Sequence, residues 1–280
     1  MSNLNQWLID NQYGDITSLH PLSGGCINQV NKISTESGDV FCLKQNDTAP
    51  DDFFISEAEN LRALANTKSI KVPKVFYVDD HCLLLEFIEC HRRQHFWQKL
   101  GQQLATCHNQ AQQCFGFTSN NYCGETQQLN PITNDGYDFF TEYRLNIQAK
   151  WARDKGLLGS AHIRQIEKLS HNLENLIPAQ RPALLHGDLW SGNIHCDTDG
   201  NPVLIDPACY WGWPEADLAM TSLFGGFNDE FYNSYIENRQ LERGWRDRFP
   251  LYNLYHLLNH LNLFGSSYLH QVVSVLHRYN

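Results

Sequence analysis

The chain has 280 residues, of which 42% are hydrophobic and 19% charged, and a formal net charge of −10. Such a composition suits a soluble globular protein with enough chain for one large domain or two smaller lobes. The acidic balance disfavours nucleic acid, whose phosphates need a basic surface, although a local lysine and backbone N–H groups can still serve a smaller phosphate ligand.

The opening run, Met1-Ser2-Asn3-Leu4-Asn5-Gln6, has no basic start followed by an apolar stretch, so a signal peptide is not expected. No window approaches roughly 18 uninterrupted apolar residues, so no membrane span is expected either. The nine cysteines are scattered and odd in number, which points to a reducing cytoplasm rather than a secreted disulfide framework. The first ~85 residues read as several short strands with one helix. Val40-Phe41-Cys42-Leu43-Lys44 is β-prone, and Asp51 to Ala65 reads as helix, with Phe54, Ala58, Leu61 and Leu64 at spacings of three and four. Val72-Pro73 opens a new extended piece, and Leu83 to Ile88 is a compact apolar run suited to a buried strand. After Cys90 the texture becomes helical: Phe96 to Cys114, Phe139 to Lys155, Ala161 to Leu176 and Pro250 to Leu263. One hairpin interrupts it, with Asn193-Ile194-His195-Cys196 and Val203-Leu204-Ile205 flanking the turn-rich Asp197 to Asn201. The outline is α+β and two-lobed, in the manner of protein kinases. Residues 1–85 form a small strand-rich nucleotide-binding lobe, 86–90 a hinge, and 91–280 a mainly helical catalytic and substrate-binding lobe.

Phosphoryl transfer asks a protein for positioning and charge neutralisation, so four parts should be present: a phosphate cradle, a paired lysine, a base and metal ligands. Ser23-Gly24-Gly25-Cys26-Ile27-Asn28 lies between strand-prone segments and could cradle phosphates, although Gly-Gly is also an ordinary hairpin turn. Lys44 ends a strand, and Glu57 follows thirteen residues later on a predicted helix, the arrangement that aims an ammonium at phosphates. Glu59 points about 200° away around that helix at roughly 100° per residue, so Glu57 is preferred. Two solvated surface charges are the bland alternative.

The sharpest signal is His186-Gly187-Asp188 with Asn193 four intervening residues later, the Asp-x-x-x-x-Asn spacing of a kinase catalytic loop. Asp188 would be the base and Asn193 a Mg²⁺ ligand. Asp206, returned by the hairpin to the neighbourhood of Asn193, would be the second. Only ten residues separate Asp206 from Asp217, too few for an activation and peptide-docking segment, so the acceptor should be a small molecule or a small displayed group. Asp217 could brace the loop by accepting its backbone N–H groups, or simply cap a helix. His256 and His260 stand four apart with no third ligand nearby in sequence, so they read as a structural pair rather than a zinc site.

These residues resemble the fructosamine kinase (ketosamine-3-kinase) family, among the aminoglycoside-phosphotransferase-like kinases, over about Leu22 to Tyr268. The specific marks are Leu184 to Asn193 (LLHGDLWSGN), Glu215 to Met220, Leu223 to Phe227, Phe115-Gly116-Phe117 with Asn121-Tyr122-Cys123-Gly124 and Gln128-Leu129-Asn130, and His260 to Gly265. The resemblance implies ATP- and Mg²⁺-dependent phosphorylation of a sugar hydroxyl on a small or protein-bound ketosamine, a deglycation reaction. It also implies that Glu86-Phe87-Ile88 offers its backbone to adenine, while Gly24, Gly25, Cys26 and Lys44 handle the phosphates. Trp190 inside the loop, and Trp211 in a Trp-Gly-Trp-Pro run where a more polar one is expected, are candidate acceptor contacts. Cys26 resembles a redox-sensitive cysteine of some members. A kinase of choline, an aminoglycoside or another amino alcohol, and a nucleotide-binding regulator without turnover, are the competing readings.

Overall fold

The computed structural model describes residues 2–22, 28–89 and 95–279. Helix α1 (Ser2–Asp10) carries Leu4 and Leu8 four apart, hence on one face, and buries both. Five antiparallel strands follow: β1 (Ile16–Pro21), β2 (Gln29–Thr35), β3 (Val40–Gln45), β4 (Val75–Val78) and β5 (Cys82–Glu86). They lie in the order β1-β2-β3-β5-β4. Strand alternation sorts their side chains. Ile33, Phe41, Leu43 and Leu84 join α1 in a small core, whereas Leu83 and Leu85 turn to the opposite face and join Phe54, Leu61 and Leu64 of α2 (Phe53–Asn66). Lys44 pairs with Leu83 across β3 and β5, so it too lies on the α2 face. The helix expected over 51–65 is α2, displaced by one or two residues at each end.

The remainder is mostly helix. In chain order it comprises α3 (Phe96–His108), a hairpin of β6 (Asn121–Cys123) and β7 (Thr126–Gln128), α4 (Gly136–Phe140) and α5 (Ile147–Asp154). Next come α6 (Ser160–His171), α7 (Leu173–Leu176) and four short strands, β8 (Ala183–Leu185), β9 (Ile194–Cys196), β10 (Pro202–Leu204) and β11 (Tyr210–Gly212). Helices α8 (Pro214–Met220), α9 (Asp229–Asn238), α10 (Phe249–Phe264) and α11 (Leu269–Tyr279) complete it. The whole is a two-lobed α+β fold of the protein-kinase type. Among the described residues no helix is long and apolar enough to cross a membrane.

The expected elements differ from the observed ones in several places: besides the β9–β10 hairpin, two further strand pairs, β6–β7 and β8–β11, interrupt the helical part. The helix expected to run to Cys114 stops at His108, because Gln112 N–H is claimed by the Pro182 carbonyl at 2.7 Å and Phe115 exchanges backbone bonds with Thr133. The helix over 139–155 is helical throughout but opens into a π-turn at Thr141–Asn146, and this turn carries the fully buried Arg144. Helices α1, α9 and α11 were not anticipated, although α9 has a readable start: Asn228 caps it by accepting Glu230 N–H at 2.8 Å.

Within α8, Glu215 is fully buried and takes a two-pronged contact from Arg248, Nε to Oε2 at 2.7 Å and Nη2 to Oε1 at 2.6 Å. This fork ties α8 to the start of α10. Glu215→Ala should leave Arg248 without its counter-charge and lower stability by about 3–5 kcal/mol. Urea unfolding with a midpoint unchanged from the parent protein would show that the pair is not a structural tie.

Candidate active site

Lys44 Nζ sits 2.6 Å from Glu57 Oε1 and in close contact with Asp206 Oδ1. Burial pulls the ammonium towards neutrality, but the carboxylates of Asp206 and Glu57 outweigh it and hold its pKa above the ordinary lysine value. Lys44 is therefore a fixed cation. Glu59, the alternative partner, points elsewhere and accepts from Ser119 Oγ at 2.7 Å.

The loop after β8 is held from below. Asp217, itself buried, accepts His186 N–H at 2.7 Å through Oδ2 and Gly187 N–H at 2.9 Å through Oδ1. Burial alone would raise its pKa, but the hydrogen bond from His108 and the Gly187 N–H hold the carboxyl below its usual range. Burial also lowers the pKa of His108 and of His186. Their partners then assign the tautomers: His108 Nε2 donates to Asp217 and its Nδ1 accepts from Tyr235. His186 Nε2 donates to the Ile205 carbonyl at 2.9 Å while its Nδ1 accepts Asp188 N–H at 3.2 Å. One imidazole thus links the backbone of the Asp188 turn to the strand end before Asp206. Gly187 has φ +83°, and a Cβ there would lie 2.0 Å from the Ala208 carbonyl oxygen, so only glycine fits.

Asn193 Nδ2 donates to the Asp188 carbonyl at 2.8 Å and to Asp188 Oδ2 at 3.0 Å. That orients the carboxylate and leaves Asn193 Oδ1 as the amide's acceptor atom. Burial, with Asp206 and Asp217 adding to it against the Asn193 hydrogen bond, pushes the Asp188 pKa up to about 7. Asp206 adopts the left-handed conformation, φ 54°, which an aspartate tolerates better than most residues.

Residues 207–209, which fix where Asp206 points, are gripped by a buried amide network. Asn60 of α2 donates to the Pro207 carbonyl at 3.0 Å, Gln128 to Ala208 at 3.1 Å, and Asn121 to Cys209 at 2.7 Å. Asn121 also donates to Asn60 at 3.1 Å and accepts from Gln128 and Asn130. Arg144 Nη2 closes the network on Asn130 Oδ1 at 2.7 Å, its guanidinium lying over the rings of Phe139 and Tyr210.

A model of the fructosamine kinase family matches residues 2–280. The chain belongs to the fructosamine kinase family. It is 37% identical, over 99% of its own length and 83% of the other protein, to a chloroplastic protein-ribulosamine 3-kinase of Oryza sativa subsp. indica. It is 40% identical to a probable ketoamine kinase of Synechocystis sp., over 91% of this chain and 88% of that protein. It superposes on a solved structure from Thermobifida fusca, provisionally named a fructosamine-3-kinase, with a TM-score of 0.90 and 30% identity; 99% of this chain and 98% of that one are covered.

In this fructosamine kinase family member one cleft of about 190 Å³ gathers Lys44, Glu57, Asp188, Trp190, Asn193 and Asp206. Asp217 lies beneath it. Trp190 has two neighbours besides the cleft, since its indole meets Phe224 edge-on at 6.0 Å and lies against Gly192, where a Cβ would come within 2.3 Å of the ring. Trp211 is not among the lining residues; its ring packs on Phe117 at 5.6 Å and its backbone bridges to Gly116, which takes it out of the cleft. Glu86, Phe87 and Ile88 line a separate depression with Lys71 and Asp197. Glu86 N–H is held by the Lys74 carbonyl at 2.8 Å. Gly24, Gly25 and Cys26 lie outside the described residues, as does the end of the expected hinge at Cys90. The amide network was not anticipated as part of the site: Asn121, Gln128 and Asn130 stood out in sequence only as a connector.

Asp217→Asn should replace one accepting oxygen with an NH₂ that faces a backbone N–H, destabilising the loop by about 1–3 kcal/mol and lowering turnover. A variant with parental melting temperature and parental kcat would remove Asp217 from its bracing role.

Proposed function

We propose that this chain transfers the γ-phosphoryl group of ATP to a sugar hydroxyl of a ketosamine, with ribulosamine-type adducts as the leading acceptors. The observation that carries this reading is the single cleft in which a fixed cation, Lys44, faces an oriented carboxylate, Asp188, whose pKa is pushed up to about 7. The ketosamine acceptor is supported by the relatives named ribulosamine and ketoamine kinases. Removal of sugar adducts from amines, including those on proteins, is the corresponding role.

Asp188 is the base: Asn193 steadies Oδ2, and Oδ1 receives the proton as the acceptor oxygen attacks phosphorus. Lys44, kept in place by Glu57, neutralises phosphate charge. Asn193 Oδ1 and the second oxygen of Asp206, whose side chain is 45% exposed, are hard oxygen donors on the cleft wall, the donor type that Mg²⁺ takes. When bound, that ion offsets charge developing on the phosphoryl oxygens. Residues 1–85 serve as the nucleotide lobe, 86–90 as the hinge with Phe87 and Ile88 presenting backbone to adenine, and 91–280 as the acceptor lobe. Among the described residues Cys42, Cys82, Cys107, Cys114, Cys123 and Cys209 carry free thiols, which supports a reducing compartment such as the cytoplasm.

Asp188→Asn should retain ATP binding while turnover falls by roughly 10²–10⁴-fold; near-parental turnover would remove Asp188 as base. ADP release measured with and without fructosyl- and ribulosyl-lysine separates this reading from a kinase of other amino alcohols and from a non-catalytic nucleotide binder. Because a raised carboxyl pKa leaves the base protonated at low pH, kcat/KM should fall as pH drops through an apparent pKa at or below about 7. A flat profile from pH 5 to 8 would contradict that assignment. Trp190→Ala should raise acceptor KM more than ATP KM, and an unchanged acceptor KM would exclude an indole contact with the sugar or its amine-bearing stem.

A further inference from the structure

Three potential ligand atoms converge at Asp188: one of its carboxylate oxygens, Cys123 Sγ and a ring nitrogen of His256, all within 4.8 Å of one another. They arrive from three elements, the end of β6, the loop after β8 and the middle of α10. His256 is 4% exposed, and its Nδ1 has no hydrogen-bond partner. The neighbouring His260 is not part of this group. Its Nδ1 meets the His256 carbonyl at 2.8 Å and its ring packs among Phe224, Phe264 and Tyr268.

We propose that Cys123, Asp188 and His256 bind a thiophilic divalent cation, zinc above all, and that this cation switches the kinase site off by occupying its base. Sulfur, nitrogen and oxygen together form a zinc donor set, whereas Mg²⁺ avoids thiolate and takes oxygen. Bonds of about 2.0–2.3 Å put tetrahedral ligand atoms roughly 3.5 Å apart, so the triad must draw in by no more than about 1.3 Å. Charge favours the complex: thiolate and carboxylate cancel a dication, and a neutral imidazole adds none, which suits a buried site. Burial, reinforced by the charge of His260 and Arg144, holds His256 down at about 3, in the neutral form that ligates. Burial keeps Cys123 a thiol, so the cation displaces its proton to solvent as the sulfur–metal bond forms. With three protein ligands, the fourth position is left to water or an acceptor oxygen. The cation site stands on geometry; only its inhibitory effect rests on the reading of Asp188 as the base.

Cobalt(II) titrated into the full chain reads the site directly. One equivalent should give a thiolate-to-cobalt charge-transfer band in the near ultraviolet and the intense visible bands of tetrahedral cobalt. Cys123→Ser should abolish the near-ultraviolet band, and His256→Gln, which keeps the thiol, should weaken cobalt binding at least about tenfold. Micromolar zinc, with Mg²⁺ and ATP in excess, should depress acceptor-dependent ADP release at least tenfold in the parent, reversibly on adding a zinc-selective chelator. Each variant should need at least tenfold more zinc for equal inhibition. A charge-transfer band that persists in Cys123→Ser belongs to another cysteine and overturns the proposal, as does parental cobalt affinity in His256→Gln. If no acceptor supports turnover in zinc-free enzyme supplied with Mg²⁺ and ATP, the kinase reading fails while the cobalt spectrum still decides the cation site.

Discussion

Lys44 carries a buried ammonium between two carboxylates that come from different halves of the chain, Glu57 on the helix beside the sheet and Asp206 beyond the β9–β10 hairpin. A buried cation is tolerable only when it is paired, and each carboxylate would repel the other without it. The two halves are thereby held in one relative placement by a single buried charge. The sheet supplies the rest of the constraint, since alternation along β3 sends Leu43 into the α1 core and Lys44 to the α2 face. A one-residue slip of β3 would exchange them and abolish the site.

Around that ion pair the structure uses backbone accounting rather than further charges. Asp217 answers two N–H groups of the turn before Asp188, His186 answers a third and gives its own proton to Ile205, and three side-chain amides hold the carbonyls of residues 207–209. The bonds to Asp217 and from the three amides lie in a buried setting where a lost partner costs more than the bond itself contributes. The position of Asp206, in a left-handed conformation, depends on that grip. So does coupling between the halves, because Asn60 shares α2 with Glu57 and reaches the Pro207 carbonyl just after Asp206.

Much of the fold was legible in the sequence. The β3 and β5 strands, α2, the β9–β10 hairpin and α10 followed from apolar spacing and turn residues, because local pattern and tertiary role agree there. Agreement failed where tertiary partners take the backbone, as at Gln112 and Phe115, and where the helix opens into a π-turn around the buried Arg144. Within the site, Lys44, Glu57, Asp188, Asn193 and Asp206 were readable from spacing, and they line one cleft. Trp211 was singled out by its neighbours in sequence, yet its strand turns the ring onto Phe117.

Chemistry was determined by the sequence alone to the level of residue types and intervals: a strand lysine, a helical glutamate, Asp-x-x-x-x-Asn, and an aspartate after a hairpin. Those intervals are short enough for local geometry to carry them. Tertiary structure decided everything that depends on long-range meeting. It joined Asn60, Asn121, Gln128 and Asn130 into one network, and it pressed His256 of the penultimate helix and Cys123 of the connector against Asp188. No spacing rule along the chain could bring those three together, because loop closure over such distances is set by the packing of the whole lobe.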